Sequence, residues 1–197
     1  MQTPVARLLY LHGFRSSPQS AKARITAAWM AAHRPEVQWW CPQLPPSPAD
    51  AMQMVQGRIA AWPGARTGII GSSLGGFYAT ALAERFGCRA VLLNPAVDPA
   101  RDLTQHIGEI AAWHSDEHFF FRPEFIAELC QIAPASLTTL ERYFAIIAKG
   151  DEVLSWAEMV DRYCGCRVKL LEGGDHALSD YKTAHLPDVT AFLGLAL

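Results

Sequence analysis

The segment GSSLGG, residues 71–76, sets two serines among three glycines. The pattern G-x-S-x-G fits only as Gly71-Ser72-Ser73-Leu74-Gly75, because Ser72 has Ile70 and Leu74 at the positions where Ser73 has glycine. A nucleophilic serine on a sharp strand-to-helix turn has unfavourable backbone angles, and strand and helix come close together. Gly71 and Gly75 are therefore the spacing that sterics would require. The helix that follows would aim its N-terminal amides at the hydroxyl, where negative charge develops during acyl transfer.

A serine needs a base, and the base needs a carboxylate to orient it. Downstream of Ser73, the apolar stretch RYFAIIAKG ends in Asp151, and RVKLLEGG ends in Asp175 and His176. Asp151 and His176 each follow a separate run of strand character, in the order serine, acid, histidine used by doubly wound hydrolases. Glu152 should point away from wherever Asp151 points. Asp175 neighbours His176 and is poorly placed to fold back on its ring, and Asp180 reads as a surface-loop residue. His12 comes too early in the chain to be the base and reads as a brace for its loop. The first apolar run, RLLYLHG, leads into Phe14, so the backbone N–H groups of Phe14 and Leu74 are the expected oxyanion hole. With His176 as base, activity should rise with pH as the imidazole loses its proton.

The elements that must position these residues are legible as alternation. Short apolar runs at residues 7–13, 37–42, 67–72, 89–96, 142–150 and 167–174 read as six strands. Helical patterns lie between or after them at 20–33, around Met52 to Trp62, from Leu74 to Gly87, at 155–163 and at about 182–193. Strands apolar throughout and joined by helical crossovers imply a mainly parallel, doubly wound sheet covered on both faces. Ligands on such sheets bind at the C-terminal strand ends, where each candidate residue falls. Residues 98–141 show no clear strand and read as a cap inserted over those ends, with a helix near 123–132. A single domain over residues 1–197 is expected, with roughly 70% of the unfolded surface buried.

Half of the 197 residues are hydrophobic and 18% are charged, a globular composition. A net charge of −2 and the absence of long Lys/Arg clusters give no electrostatic case for nucleic acid or an anionic membrane. No apolar run approaches the ~20 residues that span a bilayer. The N-terminal stretch has neither a basic start nor a small-residue cleavage site, so no signal peptide is read. The five cysteines, Cys41, Cys88, Cys130, Cys164 and Cys166, have irregular spacing and are expected to be reduced, mostly buried thiols of a cytoplasmic protein. His114 and His118 stand four apart, with Asp116 and Glu117 between them, and on a helix could share a face. They have no evident third ligand, so a solvated or substrate-facing cap segment is expected and no metal. Phe14, Trp113, Phe119, Phe120 and Phe121 are candidates to line an acyl pocket, with core packing as the alternative fate.

The segments LLYLHGFRSSPQSAKA, GSSLGGFYATALAERFGCRAVLLNPAV, KGDEVLSW and EGGDHALSDY, in order over nearly the whole chain, resemble the YqiA-like family of small bacterial α/β-hydrolase-fold esterases. Ser155 and Trp156, after DEVL, depart from the family's pattern. The resemblance implies an α/β-hydrolase fold and a cytoplasmic serine esterase with no cofactor. It places the nucleophile on Ser73, the acid on Asp151 and the base on His176. The expected substrate is a small-molecule acyl ester. The alternatives are an acyl thioesterase, for example on acyl-CoA, and a catalytically silent binding protein on the same fold.

Overall fold

The computed structural model describes residues 3–111 and 118–196. Eight strands and seven α-helices follow one another in these residues. The six expected strands are β1 (Arg7–Leu11), β2 (Gln38–Trp40), β3 (Thr67–Ser72), β4 (Arg89–Leu93), β7 (Tyr143–Ala148) and β8 (Arg167–Leu171). They form one sheet in the order β2-β1-β3-β4-β7-β8, and each neighbouring pair is parallel. The chain first winds outward from β1 to β2, then returns past β1 to β3. The topological switch therefore lies between β1 and β3, the crevice where such sheets take ligands.

Every residue of β3 and β7 is buried, which only a sheet covered on both faces allows. Alternation along each strand assigns its side chains to two cores. Leu8, Tyr10, Ile70, Val91 and Phe144 pack beneath α1 (Ala21–His33) and α7 (Leu186–Phe192). Leu9, Leu11, Ile69, Leu92 and Ala145 pack beneath α2 (Pro48–Ile59), α3 (Leu74–Phe86) and α6 (Trp156–Arg162). Gly87 ends α3 in the left-handed region, at φ +68°. The apolar residue Trp62 lies just beyond α2 and packs edge-on against Trp40 at 6.2 Å.

The inserted segment differs from expectation. It contains α4 (Pro99–Leu103), an antiparallel hairpin of β5 (Gly108–Ala111) and β6 (His118–Phe121), and α5 (Glu124–Ile132). The run HFFF is a half-buried strand: Phe121 is buried while Phe120 is exposed. Such alternation is short enough to be hidden in a purely aromatic run. His118 starts a strand, so the helical spacing that would pair it with His114 does not apply. Trp113, His114, Asp116 and Glu117 lie outside the described residues. Among the described residues no group of three His, Cys, Asp or Glu side chains could hold a metal ion. No helix there is long and apolar enough to cross a membrane.

All five cysteines are free, but only Cys88 is fully buried, and Cys130 and Cys164 are exposed. The expectation of mostly buried thiols is therefore corrected. Cys130 sits on the outward side of α5 and Cys164 in the turn after α6, where apolar character alone does not decide burial.

One carboxylate ties α5 of the inserted segment to α2. Glu128 of α5 accepts from the Ser47 hydroxyl at 2.8 Å and from the Ala49 N–H at 2.9 Å. Ser47 caps α2 by accepting from the Asp50 N–H at 3.1 Å. Glu128 thus sits at a helix N-terminus, where its charge is favoured. Replacing it with alanine is expected to lower stability by about 1–2 kcal/mol. A urea titration of Glu128→Ala checks this, and a midpoint equal to wild type would contradict it.

Candidate active site

Ser73 joins β3 to α3 with φ +54° and ψ −122°, a conformation that L residues rarely adopt. Three backbone hydrogen bonds hold it there. Its N–H donates to Leu93 at 3.0 Å, and its carbonyl accepts from Gly76 at 2.8 Å and Ala96 at 3.0 Å. A Cβ on Gly71 would stand 2.2 Å from the Gly75 carbonyl oxygen. One on Gly75 would stand 2.0 Å from the Leu11 carbonyl oxygen. Gly75 is thus demanded chiefly by the end of β1 pressing on the start of α3, a tertiary contact that the local motif does not reveal.

Leu74 is the first residue of α3, so its N–H has no intrahelical acceptor. Across from it, β1 ends at Leu11 and runs into the loop of His12, Gly13 and Phe14. His12 is buried, and its Nε2 accepts from the Leu44 N–H at 3.1 Å. Its Nδ1 therefore carries the proton and donates to the Gly13 carbonyl at 3.0 Å. The ring braces the loop that carries Phe14, as expected.

Asp151 follows β7 and His176 follows β8, and their side chains meet: Asp151 Oδ2 lies 2.8 Å from His176 Nδ1. The carboxylate is fully buried and His176 is 14% exposed. Asp151 Oδ1 also accepts from the N–H groups of Val153 and Leu154, each at 2.8 Å. With Nδ1 held by Asp151, Nε2 is the nitrogen open to a hydroxyl. The two loops can approach because of Gly150, where a Cβ would stand 2.2 Å from the Gly174 carbonyl oxygen.

Glu152 does not point away, contrary to expectation. Its carboxylate returns to accept from the His176 backbone N–H at 3.0 Å. Asp175 turns to Ser179 instead of the imidazole, and Asp180 pairs with His185 at 3.0 Å. Asn94 was not singled out by its sequence context. It is fully buried after β4, with φ +42°. Its Nδ2 donates to the Asp175 and His176 carbonyls at 3.0 and 3.2 Å, and its Oδ1 accepts from Ala148 at 2.8 Å. One amide thereby ties the ends of β4 and β7 to the histidine loop. Asparagine tolerates positive φ, and its position after an apolar strand was the only available signal.

Ser73 and His176 line one cavity of about 540 Å³, with Phe14, Leu74, Leu103 and Leu154. Ser73 and His176 share no hydrogen bond among those of the described residues; such bonds are often long before substrate binds. A second cavity, of about 650 Å³, is reached across Phe14 and Leu74 and extends to Leu44, Met54, Tyr78 and Phe119. Of the candidate aromatics, Phe14 borders both cavities and Phe119 borders the second. Phe121 is core, packed edge-on against Phe14 at 5.2 Å. Lys22 also lines the first cavity; burial pulls its ammonium down to about 8, against the opposing pull of Asp175 and Asp151.

The model of the family described as "Uncharacterised protein family (UPF0227)" matches residues 7–194. Solved structures share the fold at low identity. A protein from Agrobacterium vitis superposes with a TM-score of 0.72 at 13% identity, covering 97% of this chain and 91% of its own. The mouse alpha/beta hydrolase domain-containing protein 10 gives 0.63 at 15% identity, with 99% and 88% covered. The carboxylesterase CesB of Bacillus subtilis gives 0.58 at 16%, with 98% and 85% covered. The fold is thus that of the α/β hydrolases.

Removing the Asn94 side chain orphans the Ala148 N–H and releases two carbonyls. Asn94→Ala is expected to cost about 2–4 kcal/mol in chemical denaturation. A loss below about 1 kcal/mol would show that the amide is not the tie described.

Proposed function

We propose that this chain, which belongs to the UPF0227 family, hydrolyses carboxylic esters of small molecules through an acyl-Ser73 intermediate. The observation that carries the reading is the buried Asp151–His176 pair opening onto the cavity of the strained Ser73 turn. A carboxylesterase among the structural neighbours accords with it.

The Ser73 hydroxyl attacks the ester carbonyl and gives its proton to His176 Nε2. Asp151 holds the Nδ1–H tautomer and stabilises the imidazolium that forms. The carbonyl oxygen becomes an oxyanion, received by the N–H groups of Phe14 and Leu74. Collapse expels the alcohol, which takes the proton from His176. Water then enters and attacks the acyl carbon as it loses a proton to the same nitrogen. Collapse breaks the acyl–Ser73 bond, and the departing Ser73 oxygen takes that proton back, releasing the acid and restoring the hydroxyl and the neutral imidazole. Phe14 and Leu74 stand between the two cavities, so a carbonyl seated there has room for substituents on both sides. A thioester would traverse the same intermediate with a thiol leaving in place of an alcohol.

A fluorophosphonate probe tests the enzyme reading without knowledge of the natural substrate. Folded wild-type protein is expected to be labelled stoichiometrically, and Ser73→Ala to lose labelling by at least a hundredfold. Equal labelling of both proteins would defeat Ser73 as the nucleophile, and no labelling of wild type would leave a binding protein on a hydrolase fold.

A further inference from the structure

One wall of the catalytic cavity carries polar groups that the triad and the oxyanion amides do not use. It forms where the end of β1 meets the start of α1, and Tyr10, Ser20 and Lys22 line it. Tyr10 is fully buried, and among the described residues its hydroxyl has no hydrogen bond of ordinary geometry beyond its interaction with the Ser72 side chain. The Ser20 hydroxyl is shielded from solvent and has no partner among the described residues. A buried hydroxyl without a partner is costly and uncommon, so the Ser20 hydroxyl, on the same cavity wall as a Tyr10 hydroxyl whose neighbour is the Ser72 side chain, requires a reason.

The helix adds to it. Ser20 is the N-cap of the thirteen-residue α1, yet its side chain caps no amide, and the first turn contains no acidic residue. The N–H groups of residues 21–23 have no intrahelical acceptor, and the helix dipole places partial positive charge at this end. Lys22 supplies a full charge in the same first turn. Its Nζ donates to the Ala177 carbonyl at 2.5 Å, which leaves two of three ammonium hydrogens. Among the described residues no carboxylate lies within ion-pair distance of it. The acids that share the cavity are engaged elsewhere: Asp102 with Arg101 at 2.7 Å, and Glu152 with the His176 N–H.

We propose that Tyr10, Ser20, Lys22 and the N-terminus of α1 form an anion subsite, which receives a carboxylate or phosphate carried by the ester that Ser73 attacks. An anionic oxygen group would accept from both hydroxyls, the ammonium and the free amides at once, which a neutral chain would not. The subsite rests on the hydrolase reading and names its substrate class, an ester with a negative charge on its acyl or its alcohol part.

Three esters distinguish the sources: 4-nitrophenyl butyrate, the mono-4-nitrophenyl ester of succinate, and the butyryl ester of 4-hydroxyphenyl phosphate. The wild type is expected to favour at least one charged ester over the neutral one by tenfold or more in kcat/KM. The favoured arm shows whether the charge belongs to the acyl or the alcohol part. Within Lys22→Met, and separately within Ser20→Ala, the charged-to-neutral ratio should fall toward one, a change that general damage to the triad would not produce. Equal handling of all three esters by wild type, or a ratio unchanged in both variants, overturns the subsite. Titration of inorganic phosphate into Ser73→Ala protein reports on the subsite alone. Binding weakened at least tenfold by adding Lys22→Met supports it, and undetectable binding counts against it. Should wild type hydrolyse none of the esters, the hydrolase reading fails while the phosphate titration still decides the subsite.

Discussion

The site depends on how closely backbone can approach backbone at the C-terminal edge of the sheet. At one place the end of β1 presses against the first turn of α3, where a Cβ on Gly75 would meet the Leu11 carbonyl at 2.0 Å. At another the loops after β7 and β8 touch, with a Cβ on Gly150 excluded by the Gly174 carbonyl at 2.2 Å. The first contact brings the Phe14 loop beside the Ser73 turn. The second brings Asp151 within 2.8 Å of His176. A side chain at either glycine would part the elements by more than a hydrogen bond's tolerance.

Those approaches are held by polar groups behind the proposed reacting ones. Asn94 joins β4, β7 and the histidine loop, Glu152 holds the His176 N–H, and Lys22 holds the Ala177 carbonyl. Successive backbone groups of the loop bearing His176 are thus fixed from three elements. That precision suits the role proposed for His176, a base that must meet a hydroxyl within a few tenths of an ångström. Glu128 similarly ties α5 of the inserted segment to the N-terminus of α2.

How much was legible in the sequence follows the range of the interactions. Ser73, Asp151 and His176 stood out because each is punctuated by glycine directly after an apolar run, and this local pattern survives without a structure. The six strands were legible because a doubly covered sheet leaves them apolar throughout. The hairpin of Gly108–Ala111 and His118–Phe121 was not, since an aromatic run conceals its alternation. Glu152 was misjudged because alternation of side chains holds in a strand and fails in the turn after it. Asn94 and Lys22 act on residues some 80 and 155 positions away, a relation no local pattern encodes. Ser72 changed meaning too: discarded as the nucleophile, its side chain neighbours the buried Tyr10 hydroxyl in the same cavity.

The central claim is covalent: the acyl group of the substrate passes through Ser73. Acid-quenching the wild-type protein during turnover of an activated ester, followed by peptide mass spectrometry, tests it most directly. The account predicts an acyl mass increment confined to the peptide containing Ser73, appearing at least as fast as steady-state turnover. An increment on another residue, or turnover with no acylated protein while product accumulates in a burst, would contradict it.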